Sequence, residues 1–157
     1  MQLDLKVYVS STSIDLREYR AAVIAALRKM DTTPVCMEDY VAQDMLPVDK
    51  CLADVAKSEV YVGIFAWRYG FIPPGYEQSI TELEYRKAVE CGIPTLIFLL
   101  DENVGWRDEY RDMEKAAERI KALRGEFTIG KMVGWFTTPI TLQVRCNLRS
   151  AGSLCKR

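Results

Sequence analysis

A chain of 157 residues has the length of one ordinary domain, and 49% hydrophobic with 27% charged residues is enough apolar content for a buried core, which excludes a disordered polymer. The 21 basic and 22 acidic residues leave a net charge of −1, too small a positive excess to neutralise a phosphate backbone, so no nucleic-acid partner is expected. Histidine is absent, which excludes serine–histidine and cysteine–histidine nucleophile pairs and imidazole-bound metal; chemistry must run on carboxylates, hydroxyls, thiols, amines or backbone groups, with no cofactor and no metal site expected.

Cys36, Cys51, Cys91, Cys146 and Cys155 are odd in number, widely spaced and without a Cys-x-x-Cys pair, so they read as small apolar residues in a reducing compartment. Met1 to Leu5 lacks the basic start and apolar centre of a secretory signal, and the longest apolar run, Ile93 to Leu100, is far short of a membrane span. The expectation is a cytoplasmic protein without a membrane partner.

The first strand is Leu5 to Val9, and a polar turn of Ser10 to Ser13 leads into a helix from about Asp15, with Leu16, Tyr19, Val23, Ala26, Leu27 and Met30 at helical spacing. A strand over Thr33 to Met37 precedes the acidic pair Glu38-Asp39, a loop, and a helix opening near Pro47 with Val48, Leu52 and Val55 on its apolar side. Val60 to Phe65 is a nearly continuous apolar run, as in a central strand covered on both faces. Trp67-Arg68-Tyr69-Gly70 and a loop from Ile72 to Gln78 follow. Ser79-Ile80-Thr81-Glu82 is a capping box that opens a helix ending at Gly92, and Pro94 leads into a strand over Thr95 to Leu100. Asp108 to Leu123 reads as a charged helix with one narrow apolar side, Lys131 to Phe136 as a fifth strand, and Thr138 toward Leu148 as a last helix. Strands alternating with helices predict an α/β, flavodoxin-like three-layer sandwich with a mostly parallel five-stranded sheet. It spans residues 3–140, and 141–157 is a helix end with a basic tail or linker. No Walker-type or Gly-x-Gly-x-x-Gly loop is present, which excludes a P-loop mechanism in this segment.

In an open parallel sheet, ligands sit beyond the carboxyl ends of the strands where strand order reverses. Ser10, Ser11 and Thr12 follow the first strand, so their hydroxyls and the helix-start amides either hold a phosphate or sugar or serve as ordinary N-caps. Glu38 closes the second strand, in position for a ribose hydroxyl or for plain solvation. Arg68 suits a phosphate, whereas Trp67 and Tyr69 either stack a base or pack under the next loop. Glu84 is the most informative position: Ile80, Leu83, Ala88 and Cys91 mark the apolar stripe of its helix, and Glu84 stands on the stripe's edge one turn before Ala88. Burial there raises a carboxylate's pKa by up to several units, against about 0.3–1 kcal/mol from the helix N-terminus, which makes a tuned acid or nucleophile. The plain alternative is an ion pair with Arg86, Lys87 or Arg68.

Val7-Tyr8-Val9-Ser10-Ser11-Thr12, Asp15-Leu16-x-x-Tyr19-Arg20, Met37-Glu38, Arg68-Tyr69-Gly70 and Ser79-x-Thr81-Glu82-x-Glu84-Tyr85 occur in this order. Together they resemble the domain of unknown function 4062 family over nearly all of residues 3 to 140. That resemblance implies an N-terminal module of a larger protein, joined to NACHT-type or related signalling NTPase domains or helical repeats, with a nucleotide or NAD ligand and self-association into a homo-oligomer. The family is in turn similar to Toll/interleukin receptor homology domains and nucleoside 2-deoxyribosyltransferases. The pattern Glu-x-x-x-Ala-x-x-x-Gly of the latter matches Glu84, Ala88 and Gly92, which implies that Glu84 is a catalytic carboxylate acting at the anomeric carbon of a ribosyl group. Ser10, Ser11, Thr12, Glu38, Arg68, Tyr69, Gly70 and Ser79 are then the substrate-binding residues. The tryptophan–cysteine pair of catalytic Toll-type domains is missing here. Two functions of different kinds stand side by side: a signalling module, and an N-glycosidase or deoxyribosyltransferase-like enzyme.

Overall fold

The computed structural model describes residues 4–39, 48–143 and 146. In chain order it contains β1 (Lys6–Ser10), α1 (Arg17–Lys29), β2 (Thr33–Val35), α2 (Val48–Ala56), β3 (Val60–Phe65), α3 (Ile80–Glu90), β4 (Thr95–Leu100), α4 (Glu114–Gly130) and β5 (Gly134–Phe136). All four strand pairings are parallel and the order across the sheet is β2-β1-β3-β4-β5, the flavodoxin-like arrangement of an α/β domain.

The two-residue period of the strands sorts their side chains into two cores. Val7 and Val9 of β1, Val62 and Ile64 of β3, and Phe98 and Leu100 of β4 pack with Val23, Ile24 and Leu27 of α1. Tyr8, Tyr61, Phe65, Ile97 and Leu99 face the other way, against Val55 of α2, Tyr85 and Ala88 of α3, and Ile120, Leu123 and Phe127 of α4. Every residue of β3 is buried, as its unbroken apolar run predicts for a strand covered on both sides. Pro34 is accommodated because β2 is an edge strand.

Several boundaries differ from the sequence expectation, each for a visible reason. β2 stops at Val35, since Met37–Asp39 turns into a short 3-10 helix that brings Glu38 to Arg20. α1 starts at Arg17, because Asp15 is engaged by the Thr12 hydroxyl at 2.6 Å before the helix begins. The capping box is only half formed: Ser79 Oγ accepts the Glu82 N–H at 3.2 Å, but the Ser79 N–H donates to the Tyr69 hydroxyl at 3.2 Å while the Glu82 carboxylate accepts from Tyr69 and Arg86. The charged segment from Asp108 is a 3-10 turn over Asp108–Tyr110, and α4 begins later and runs further, to Gly130. β5 has three residues, without Lys131 to Val133. Residues 139–143 are helical as expected from Thr138, whereas the loop after Asp39, the start near Pro47 and the tail over 147–157 lie outside the described residues. Among the described residues, Cys51 and Cys91 are free thiols.

Candidate functional site

The chain passes from β1 outward to β2 and then back across to β3, so the strand order reverses between β1 and β3. A cleft of about 210 Å³ lies beside that switch point, lined by Tyr8, Ser11, Thr12, Arg68, Gly70 and Glu84 among others. The loop after β1 supplies Ser11 and Thr12, the loop after β3 supplies Arg68 and Gly70, and α3 supplies Glu84.

The helical period of α3 that buries Tyr85 and Ala88 also turns Glu84 inward, where it retains only 6% exposure. Tyr8 and Ser10 are two residues apart on β1, so both face α3, and both hydroxyls donate to the carboxylate: Tyr8 to Oε2, and Ser10 to Oε1 at 3.1 Å. Burial pushes the Glu84 carboxyl up to about 7, against the lowering by these two hydrogen bonds and by the charge of Arg20. The cations that offered Glu84 an ordinary ion pair are bound elsewhere. Arg86 pairs with Glu82 at 3.0 Å and Glu126 at 2.6 Å, Lys87 with Glu90 at 3.5 Å, and Arg68 with Asp112 at 3.8 Å.

Arg20, 2% exposed, is the charged anchor of the cleft. Its Nε and Nη2 donate to Glu38 at 2.7 and 2.9 Å and its Nη1 to Ser11 Oγ at 2.8 Å, and the Ser11 hydroxyl donates to the Thr12 carbonyl at 2.7 Å. Glu38 is therefore neither a contact in the cleft nor a plain solvated carboxylate. Partial burial pushes its carboxyl up, but the Arg20 hydrogen bonds and charge outweigh that and hold it below the usual value. Thr12 lines the cleft with its hydroxyl proton given to Asp15 Oδ1, and burial raises the Asp15 carboxyl against the lowering by that bond.

Arg68 and Gly70 reach the cleft, and Gly70 needs its glycine: at φ +98° an added Cβ would stand 3.2 Å from Thr12 Cγ2. Tyr69 and Ser79 do not line it. Tyr69 is 3% exposed with its hydroxyl on Glu82, and Ser79 is fully buried as the N-cap of α3. Ser10 touches the cleft through Glu84. The sequence reading missed Tyr8, Asp15 and Arg20 as site residues. The available signals were parity with Ser10 for Tyr8, the three-residue spacing from Thr12 for Asp15, and a place inside the apolar stripe of α1 for Arg20. Among the described residues, no group of three or more cysteines, aspartates or glutamates is arranged to hold a metal ion, and no helix is long and apolar enough to cross a membrane.

Comparison with known proteins finds a stretch 26% identical to telomerase protein component 1 of Mus musculus, covering 49% of this chain but only 4% of that protein. Among solved structures, a 2-desoxiribosyltransferase from Leishmania mexicana superposes with TM-score 0.48 at 15% identity over 72% of this chain and 76% of its own. A flavodoxin-like domain from Synechococcus sp. does so with TM-score 0.45 at 13% identity, over 91% and 90%. The sequence model of the domain of unknown function DUF4062 matches residues 6–149, and the chain belongs to that family.

Proposed function

We propose that this domain is an N-glycosidase-type enzyme that cleaves the bond between a ribosyl group and its base in a nucleotide-like ligand such as NAD, with Glu84 as the nucleophile. The observation that carries this reading is a buried carboxylate lining a cleft at the switch point, held by Tyr8 and Ser10 and free of the ion pairs around it. In the reaction a Glu84 oxygen bonds to the anomeric carbon as the carbon–nitrogen bond breaks, and the base leaves with the bonding pair, as neutral nicotinamide from NAD or, from a purine or pyrimidine nucleotide, with a proton taken from solvent. Water then attacks the same carbon and releases the carboxylate. The hydrogen bonds of Tyr8 and Ser10 aim the carboxylate and favour its charged form. Because the Glu84 carboxyl is pushed up to about 7, its nucleophilic form accumulates as pH rises through that value.

The test is release of free base from NAD and from each common nucleoside and nucleotide, followed by chromatography. The expected result is turnover that increases from pH 6 to 8 and falls by about a thousandfold or more in Glu84→Gln. Base release that survives Glu84→Gln removes the carboxylate from the mechanism.

A second reading, compatible with the first, is that the domain works as a signalling module of a longer multidomain protein and self-associates there. The small fraction of a much longer relative that corresponds to this domain supports it. Light scattering across a concentration series, with the domain alone and within its full-length protein, tests the assembly.

A further inference from the structure

The cleft contains two arginines in opposite states. Arg20 has donors to Glu38 and Ser11 on all three guanidinium nitrogens. Arg68 has an ion pair with Asp112 at 3.8 Å, whose carboxylate already accepts the Tyr69 N–H at 2.6 Å, and the charge of Asp15 acts on it from nearby without a hydrogen bond. Among the described residues the Arg68 guanidinium is thus the cation of this cleft with donors left for a ligand, and its side chain is 31% exposed. A planar guanidinium in that state suits a phosphate, to which it donates two parallel hydrogen bonds.

The hydroxyls beside it have opposite polarity. Tyr8 and Ser10 donate hydrogen bonds to Glu84, Ser11 to a carbonyl, and Thr12 to Asp15, which is itself buried and whose Oδ2 has no hydrogen-bond partner among the described residues. Thr12 lines the cleft, and with its hydroxyl hydrogen engaged by Asp15 its Oγ1 retains acceptor capacity, which suits a hydroxyl of the ligand. At the mouth, Ile14 and Phe71 are each 61% exposed, two apolar side chains suited to the faces of a flat base. At about 210 Å³ the cleft is smaller than the roughly 300–1,000 Å³ that encloses a drug-sized ligand, so it accommodates a sugar with its substituents reaching the rim.

We infer that the substrate class is a phosphorylated ribosyl compound, a ribonucleotide as opposed to a free nucleoside or deoxynucleotide, with Arg68 on the phosphate, Thr12 on a ribose hydroxyl and Asp15 positioning Thr12. This rests on the glycosidic reading only for placing the sugar next to Glu84.

The experiment measures binding separately from turnover, using thermal-shift titrations of the Glu84→Gln chain, and of the wild type at about pH 5 where Glu84 is protonated. The probes are the four ribonucleoside 5′-monophosphates, their nucleosides, and 2′-deoxy- and 3′-deoxy-AMP. The monophosphate of at least one base is expected to bind about tenfold or more tightly than its nucleoside, and one of the deoxy forms to lose a similar factor. Arg68→Ala abolishes the first ratio and leaves the second, and Thr12→Val does the reverse. Asp15→Asn reduces the hydroxyl preference while keeping the phosphate preference, which a merely structural role would not do. Equal binding of nucleotide and nucleoside, insensitivity of that ratio to Arg68→Ala, or no binding of any probe overturns the inference. A nucleotide preference without base release removes the glycosidic reading and keeps this one; base release from nucleosides with no nucleotide preference does the opposite.

Discussion

Burial of Glu84 carries a cost in stability, and the sign of that cost is fixed by where its carboxyl titrates. Burial holds the proton in the native state up to about pH 7, whereas an unfolded glutamate releases it near 4.5. Between those values the folded chain binds more protons than the unfolded one, so stability falls as pH rises from 4.5 to 7. The separation corresponds to about 3 kcal/mol at full effect. Urea unfolding of wild type and Glu84→Gln at pH 5 and pH 8 checks this: the wild type should lose about 2–3 kcal/mol relative to the variant across that interval, slightly less than the full effect because pH 5 already lies above the unfolded value. A constant difference between the two would mean that Glu84 titrates normally. The same residue shows what was legible in the sequence. Its place on the apolar stripe of α3 follows from spacing alone, and so does its inward direction. Arg20 and Asp15 were harder because a charged residue facing a core is read by default as one facing water. Only the partners, Glu38 eighteen positions away for Arg20 and the Thr12 hydroxyl for Asp15, make burial affordable.

At the scale of the element, α4 holds the site together from a distance. Arg124, 4% exposed, extends from α4 across the ends of two strands: Nη1 donates to the carbonyls of Phe65 and Ala66 at 3.2 and 3.0 Å, and Nη2 to Leu100 at 2.6 Å. Its guanidinium lies 4.0 Å from the centre of the Trp67 ring. Burial lowers its pKa to about 10, so the cation persists at neutral pH. These bonds secure the point where β3 gives way to the loop carrying Arg68 and Gly70. Arg124→Met keeps much of the packing but leaves those three carbonyl groups with no charged donor, at a cost of about 2–4 kcal/mol. Chemical denaturation measures the loss; a change under about 0.5 kcal/mol would show that water replaces the guanidinium. This helix was only partly legible. Gly125 and Gly130 weaken it locally, and the apolar spacing read from the sequence ends at Leu123. Phe127 carries it onward through ring contacts with Phe65 at 4.7 Å and Tyr85 at 4.8 Å, tertiary contacts that no local propensity contains.

At the scale of the whole molecule, the fold was legible because alternation of strands and helices allows few layered solutions, and right-handed parallel crossovers narrow them further. The position of the cleft follows from the strand order, since the reversal falls between β1 and β3 and their C-terminal loops must then diverge. β3 is buried along its whole length between β1 and β4, and Gly63 is where the tightness of that packing can be tested. It pairs with Ser10 on one side and Ile97 on the other, inside a strand buried throughout. A Cβ at Gly63 would stand 2.7 Å from Phe65 Cε2 and 2.9 Å from Tyr61 Cε1. Neither ring has room to withdraw, for both are buried to 3% exposure or less and Phe65 is packed on Phe127. Gly63→Ala therefore overpacks the sheet at its centre, where relief requires β3 to move against β1 and β4 together. Overpacking of this kind costs about 1–3 kcal/mol, which in a domain of this length lowers Tm by roughly 3–10 °C. The clash falls on the Tyr61, Phe65 and Ile97 side of the sheet, but β3 is common to both cores, so calorimetry should show a single transition displaced downward, whereas a separate early transition would mean that the two faces of the sheet unfold independently.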